Sequence, residues 1–194
     1  MKKLALCLIL LFVSMPLLAG ATGIGIGIGG GIDMIVPDVE DAETETYPEI
    51  AGLIDFSLPG IPIGLRGGIE YAWKSEEQEI PIIGTMETKT TVIPILLAGQ
   101  YNVVLPGAPM SFYVGAGGEL AMMSATTTIG DAEEDYSKTA FGFLAYAGAN
   151  YSMGNMGIFA EVGYGMIFAE EEDADYAWSN FTHIPIRGGI KFNL

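Results

Sequence analysis

The stretch G-I-G-I-G-I-G-G-G-I-D at residues 23–33 places Gly25, Gly27 and Gly30 at the G-x-G-x-x-G spacing of a loop that wraps backbone amides around a pyrophosphate. That chemistry needs a strand before the glycines and a helix after them. Here an isoleucine recurs at nearly every second position instead, and strand-like alternation continues where the helix should start. A second candidate is His183, the sole histidine, which could serve as a base if a hydroxyl and an acid such as Ser179 and Glu161 stood beside it. Ser179 falls in a loop and no tight motif frames the three residues, so no catalytic residue is assigned. The acidic runs 131–135 and 170–175 offer hard oxygens for calcium, but neither has the spaced D-x-[DN]-x-[DN]-G pattern. They read as solvated faces with at most diffuse divalent binding, and neither a defined metal site nor a cofactor is expected.

The richest set of chemical groups is a scatter of charges in otherwise small or apolar surroundings: Asp33, Asp55, Glu70, Glu119 and Glu161, with Arg66, Lys74, Arg187 and Lys191. What brings them together is a period of two. From residue 24 to 36 isoleucines alternate with glycines, and Asp33 falls on the glycine row. The same alternation recurs over 50–58, 61–74, 90–104, 110–123, 139–151 and 157–169, and from His183 to Leu194. In each case one row is aliphatic or aromatic, while the other holds glycines and the nine charged residues. Eight strands with two unlike faces are predicted, and all nine charges share one face.

The connections alternate in kind. Leu58-Pro59-Gly60, Leu105-Pro106-Gly107 and Gly154-Asn155 read as tight turns, whereas the other four connections read as long acidic loops. An even strand number, with short turns at one end and long polar loops at the other, describes an antiparallel up-and-down transmembrane β-barrel. A lipocalin-like barrel or a β-sandwich would have the reverse polarity, with a greasy interior and a wet exterior. An aliphatic face with no apolar core to cover must point to lipid, where only helices and closed barrels satisfy every backbone group. No stretch beyond the N-terminus offers the about 20 consecutive apolar residues of a membrane helix. The nine inward charges then read as a salt-bridge network plugging the lumen, with a narrow ion path as the alternative. Outward aromatics form two belts: Phe56, Tyr101, Phe112, Tyr151 and Phe192 near the short turns, and Tyr71, Trp73 and Phe168 near the loops. Pro62, Pro94 and Pro185 fit this pattern badly, because a closed barrel has no edge to hide a missing donor, and they are read as strand ends or bulges.

The address follows from the first residues. Lys2 and Lys3, an apolar run from Leu4 to Val13, and Ala19-Gly20-Ala21 form a secretory signal over 1–21, leaving a barrel domain over 22–194. Cys7, the only cysteine, would leave with the signal. The net charge of −16 becomes two units more negative on cleavage and argues against nucleic acid as a partner.

Taken together these residues resemble the small eight-stranded outer-membrane β-barrels of Gram-negative-type bacteria. The sharpest local match is Arg187-Gly188-Gly189-Ile190-Lys191-Phe192-Asn193-Leu194. It resembles that family's barrel-assembly signal at Arg187, Gly189, Phe192 and Leu194, with leucine where the family often ends in phenylalanine. The resemblance implies a place in the bacterial outer membrane, contact with its lipid and lipopolysaccharide, and insertion by the barrel-assembly machinery. Activities in such a family are diverse, so the function expected is a non-enzymatic one. It would be surface interaction, adhesion or envelope integrity, with the acidic loops meeting an extracellular ligand or a host surface. A small porin-like channel and a lipid-A-modifying hydrolase are the alternatives.

Overall fold

The computed structural model describes residues 23–38, 43–57, 61–80, 84–130, 132–169 and 180–194. The expected export signal at 1–21, the expected turn at 58–60, Ser179 and the acidic run 170–175 lie outside the described residues. The rest forms eight strands: β1 (Gly23–Pro37), β2 (Glu45–Ser57), β3 (Ile63–Ile80), β4 (Gly84–Val104), β5 (Met110–Ile129), β6 (Ala132–Met153), β7 (Met156–Phe168) and β8 (Phe181–Asn193). Each pairs antiparallel with its neighbours in chain order, and β8 pairs with β1 to close the barrel. Closure is registered by Ile26 opposite Phe192 and Asp33 opposite Pro185, and the Leu194 amide donates to the Ile24 carbonyl at 2.8 Å.

The alternation decides which face is wet. Ile28, Leu65, Leu97, Val114, Phe141, Val162 and Ile186 all lie on the outer row, and Leu97 and Phe141 are 70% and 74% exposed. So much apolar surface is stable only against hydrocarbon, which makes this a transmembrane β-barrel. The aromatics expected at the two interfaces stand on the same outer face, with Tyr71 and Trp73 in contact at 5.4 Å between ring centroids.

The wall is of two heights. Strands β7, β8, β1 and β2 have 13 to 15 residues, while β3 to β6 have 18 to 22. A bilayer takes about 9–11 residues of a tilted strand. The excess of β3–β6 lies beyond it, at the end opposite the tight turns at 105–109 and 154–155. There the β3–β4 and β5–β6 hairpins are joined through β4–β5 pairs as far up as Met86 opposite Ile129, making one four-stranded sheet. This corrects the expectation of long loops for two of the four connections, β3–β4 and β5–β6; the other two lie largely outside the described residues. Ile80 pairs with Gly84 and Ile129 with Ala132, so the acids at 76–79, Glu87 and 133–135 stand on paired strands. Gly130, at a φ of +60°, supplies the left-handed residue a hairpin this tight requires.

Of the three prolines, Pro62 does mark a strand end and the other two are corrected. Pro62 lies just ahead of β3, where its carbonyl accepts from the Asn102 amide. Pro94 and Pro185 are buried inside strands and mark neither ends nor bulges. The β3–β4 ladder passes from Ile69–Ile95 to Ala72–Val92, and the β7–β8 ladder from Val162–Ile186 to Gly165–His183. Each ladder therefore opens for two residue pairs at a proline and resumes in the same register.

Candidate functional site

Eight of the nine predicted interior charges meet inside the membrane-spanning part of the barrel. Asp33, Asp55, Arg66, Glu70, Glu119, Glu161 and Arg187 are each 5% exposed or less. From the turn end upward, Lys191 donates to Asp55 at 2.6 Å, and Arg66 grips the same carboxylate through Nε at 2.7 Å and Nη2 at 3.2 Å. Arg66 Nη1 turns to Glu161, which also accepts from Arg187 at 3.0 and 2.8 Å. Arg187 Nη1 then reaches Glu70, and Glu49 at 3.9 Å. The result is one chain of alternating charge running up the lumen. Arg66 is clamped besides between Tyr113 and Tyr146, its guanidinium carbon 4.8 and 4.6 Å from their ring centroids. A Cβ at Gly148 or Gly115 would run into these two rings, which is why the inward row needs glycine there.

Lys74 does not join this chain. It stands at the rim, 3.3 Å from Glu45 and 2.5 Å from Glu76. A residue that the sequence pattern does not single out takes a place inside instead. Glu49 reads in sequence as the end of the acidic loop 38–49, but β2 begins at Glu45 and turns Glu49 inward. Six buried carboxylates therefore share the lumen with Arg66, Arg187, Lys191 and His183, so the set is not the five acids and four bases expected. The surplus has a visible mark. Both oxygens of Glu49 and of Glu70, with Asp33 Oδ1 and Glu119 Oε1, have no hydrogen-bond partner among the described residues, although Glu70 is ion-paired to Arg187.

His183 sits at the top of this charged layer. Its Nδ1 lies 3.2 Å from Asp33 Oδ2 and its Nε2 2.9 Å from Glu119 Oε2, and the ring fits only because position 165 is glycine. Both ring nitrogens are thus engaged by carboxylates, neither of which is the Glu161 considered from sequence. Glu161 is held by two arginines.

Above the histidine the lumen changes character. Ile35, Val92, Ala121, Met123, Ile167 and Phe181 form the heart of a buried apolar layer across the bore. Sequence reasoning missed it because at the top of the strands both rows turn apolar, as in Ala121-Met122-Met123, and the inward row no longer stands out. Over this floor the tall wall rises past the short one and, among the described residues, leaves a basin of about 520 Å³. Its sides carry Tyr47, Lys74, Glu76, Thr90, Ala125 and Tyr136. On the opposite face of the hairpin sheet Lys89 pairs with Glu87 at 2.9 Å, and Ser75 donates to Glu87 at 3.2 Å. These bonds hold the Glu87 carboxyl below its ordinary range. Among the described residues no three His, Cys, Asp or Glu side chains come together as a metal site.

The C-terminal motif divides by face. Arg187 and Gly189 point inward, Arg187 into the ion chain and Gly189 against the β1 backbone, while Phe192 and Leu194 are exposed on the outside.

No family model and no curated protein sequence matches the chain. Its fold does match solved structures. Neisserial surface protein A superposes with a TM-score of 0.63 at 12% identity over 89% of this chain and 97% of that one. A major outer membrane protein from Thermus thermophilus gives 0.64 at 16% identity, over 90% and 100%. Ail, the attachment invasion locus protein of Yersinia pestis, gives 0.52 at 14% identity, over 88% and 97%. The fold is that of the small eight-stranded outer-membrane barrels.

Proposed function

We propose that this chain is an integral outer-membrane barrel whose lumen is closed and whose work is done on its outer end, by the raised β3–β6 sheet, in surface interaction or envelope integrity. The observation that carries the reading is the filling of the bore. An ion chain occupies it from Lys191 to Arg187, and an apolar layer lies across it above His183. A cavity near Arg66 and Lys191 has room for about one water at ≈ 10 Å³, whereas the space of about 520 Å³ is at the mouth. A closed bore leaves the hairpins, lined with carboxylates, as the part that meets other molecules. Two structures of this fold bear the names of a surface protein and an attachment invasion locus protein, which lie in the same class. Insertion by the barrel-assembly machinery is proposed on the C-terminal motif, and lipid contact on the apolar outer face. The reading includes no catalysis, since His183 and Glu161 are both committed to ion pairs.

Planar-bilayer recording tests the closed bore. Wild type is expected to show no steady conductance, and a variant with residues 77–87 replaced by a tight turn should insert equally well while losing surface interactions. Steady conductance that changes in Arg66→Ala would replace this reading with that of a small channel.

A further inference from the structure

The basin at the mouth has a chemistry of its own. Its floor and one side are apolar and aromatic, formed by Ile35, Tyr47 and Phe181, with Tyr136 facing them across the opening. Among the described residues its charged lining consists of Glu45, Glu76 and Lys74. The ammonium of Lys74 lies between the two carboxylates, 5.7 Å from the centroid of the Tyr47 ring, while the Tyr47 hydroxyl donates to Glu45 at 2.6 Å. The wall therefore already holds an ammonium between carboxylates and an aromatic face. With Lys74 counted, the described lining keeps a net negative charge, and the whole chain carries −16.

From this arrangement we infer that the basin is a binding site for a small organic cation with an apolar body, such as an arylalkyl-ammonium. Its charged head would lie toward Glu45 and Glu76 and its body on Tyr47, Phe181 and Tyr136. Three terms select that class. The apolar walls reward removal of a hydrocarbon body from water. The aromatic faces attract a cation more than a neutral isostere. The unbalanced carboxylates, with the field of an acidic chain behind them, repel an anion of the same shape. An inorganic cation would forgo the first term, and a fatty anion would meet the last with the wrong sign. The inference rests on the surface reading only for the side of the membrane on which the basin opens. Binding to the isolated barrel, with both ends accessible, does not depend on that side or on whether the bore conducts.

The test is calorimetric titration of the barrel in bilayer discs of phosphatidylethanolamine and phosphatidylglycerol, which carry no choline to compete, with empty discs as background. The probes are phenylpropyl-trimethylammonium, its neutral isostere with carbon in place of the quaternary nitrogen, and phenylbutyrate. Saturable binding of the cation alone, one per barrel, is expected. Glu45→Gln and Tyr47→Leu should each weaken it about tenfold, equivalent to about 1.4 kcal/mol. Ala125→Trp, which fills the basin from the opposite wall, should abolish it. Glu77→Gln removes the same charge from the other face of the sheet and should change affinity less than about twofold, since a solvent-screened charge contributes little. Heat-modifiable gel mobility confirms that each variant is folded. Equal binding of the neutral or anionic probe, a loss in Glu77→Gln matching that in Glu45→Gln, or no saturable binding to any probe would overturn the assignment.

Discussion

The lower and upper halves of the lumen solve the same problem in opposite ways. Both must fill a bore too narrow to leave empty and too wide to collapse. The lower half does it with ions: Lys191, Asp55, Arg66, Glu161, Arg187 and Glu70 form one ion-paired chain, hydrogen-bonded from Lys191 to Arg187. The upper half does it with an apolar layer around Met123, Ile167 and Phe181, and then stops filling altogether, leaving the basin. An ion chain is held by specific partners, so its stability depends on every link. An apolar layer is held by volume and dryness, so it tolerates exchange among hydrocarbons but not an unpaired polar group. The part with fixed partners lies deep in the membrane, and the part free to meet a ligand lies above the apolar layer.

Breaking a central link should have the largest effect. Arg187 is shared by Glu161, Glu70 and Glu49. Arg187→Met keeps most of the volume but leaves those carboxylates buried without their cation. A loss of about 3–5 kcal/mol is expected, as when one partner of a buried pair is removed. Equilibrium urea unfolding in lipid vesicles would measure it. A loss no greater than that of a surface substitution would mean that the lower half is not held by its ions.

The upper half should respond to polarity more than to size. Ile167 is buried in the floor. Ile167→Val removes one methyl group and should cost about 1 kcal/mol. Ile167→Thr has nearly the shape of the valine variant but adds a hydroxyl, and should cost a further 1–3 kcal/mol, roughly, if the layer is dry. Equal stability of the two variants in the same unfolding assay would show that water reaches the layer, and the contrast between the halves would fail.

How much of this contrast is legible in the residues depends on where water lies. Inside the membrane the outer row is always apolar, so period two exposes the strands and assigns Asp33, Asp55, Arg66, Glu70, Glu119, Glu161, Arg187 and Lys191 to the lumen from parity alone. Above the membrane both faces of a strand can be wet and the hydrophobic period vanishes, so Glu76 to Glu87 and Glu133 to Asp135 resemble loops. The remaining signal there is β-branched composition, in Thr88, Thr90, Thr91 and Thr126 to Thr128, which favours strands without regard to face. Glu49 escapes for the same reason. Its strand opens with Thr46 and Pro48 on the outer row, so no apolar row announces it. The partners of His183 are beyond reach in another way. Asp33 lies on the adjacent strand β1, but Glu119 lies on β5 across the bore, and parity says that two residues face inward without saying that they meet.

The surplus of carboxylates provides the finest test, because it separates a link of the chain from a charge merely enclosed by it. Glu161 accepts hydrogen bonds from both arginines, whereas Glu49 accepts none from the described residues and has only Arg187 Nη1, at 3.9 Å. Glu161→Gln should therefore be destabilising, since it weakens charge-assisted bonds that Arg66 and Arg187 both use. Glu49→Gln removes a buried charge without cutting a hydrogen bond, and the lower half then carries one negative charge fewer. Its unfolding free energy should be unchanged or raised by about 1 kcal/mol. The pair measured side by side in vesicles distinguishes two pictures of the interior. If Glu49→Gln cost as much as Glu161→Gln, Glu49 would be a full member of the ion chain, and its oxygens would have partners that the hydrogen-bond geometry does not reveal. If only Glu161→Gln is costly, the chain ends at Glu70, and Glu49 is tolerated because Arg187 is near enough to offset its burial without being bonded to it.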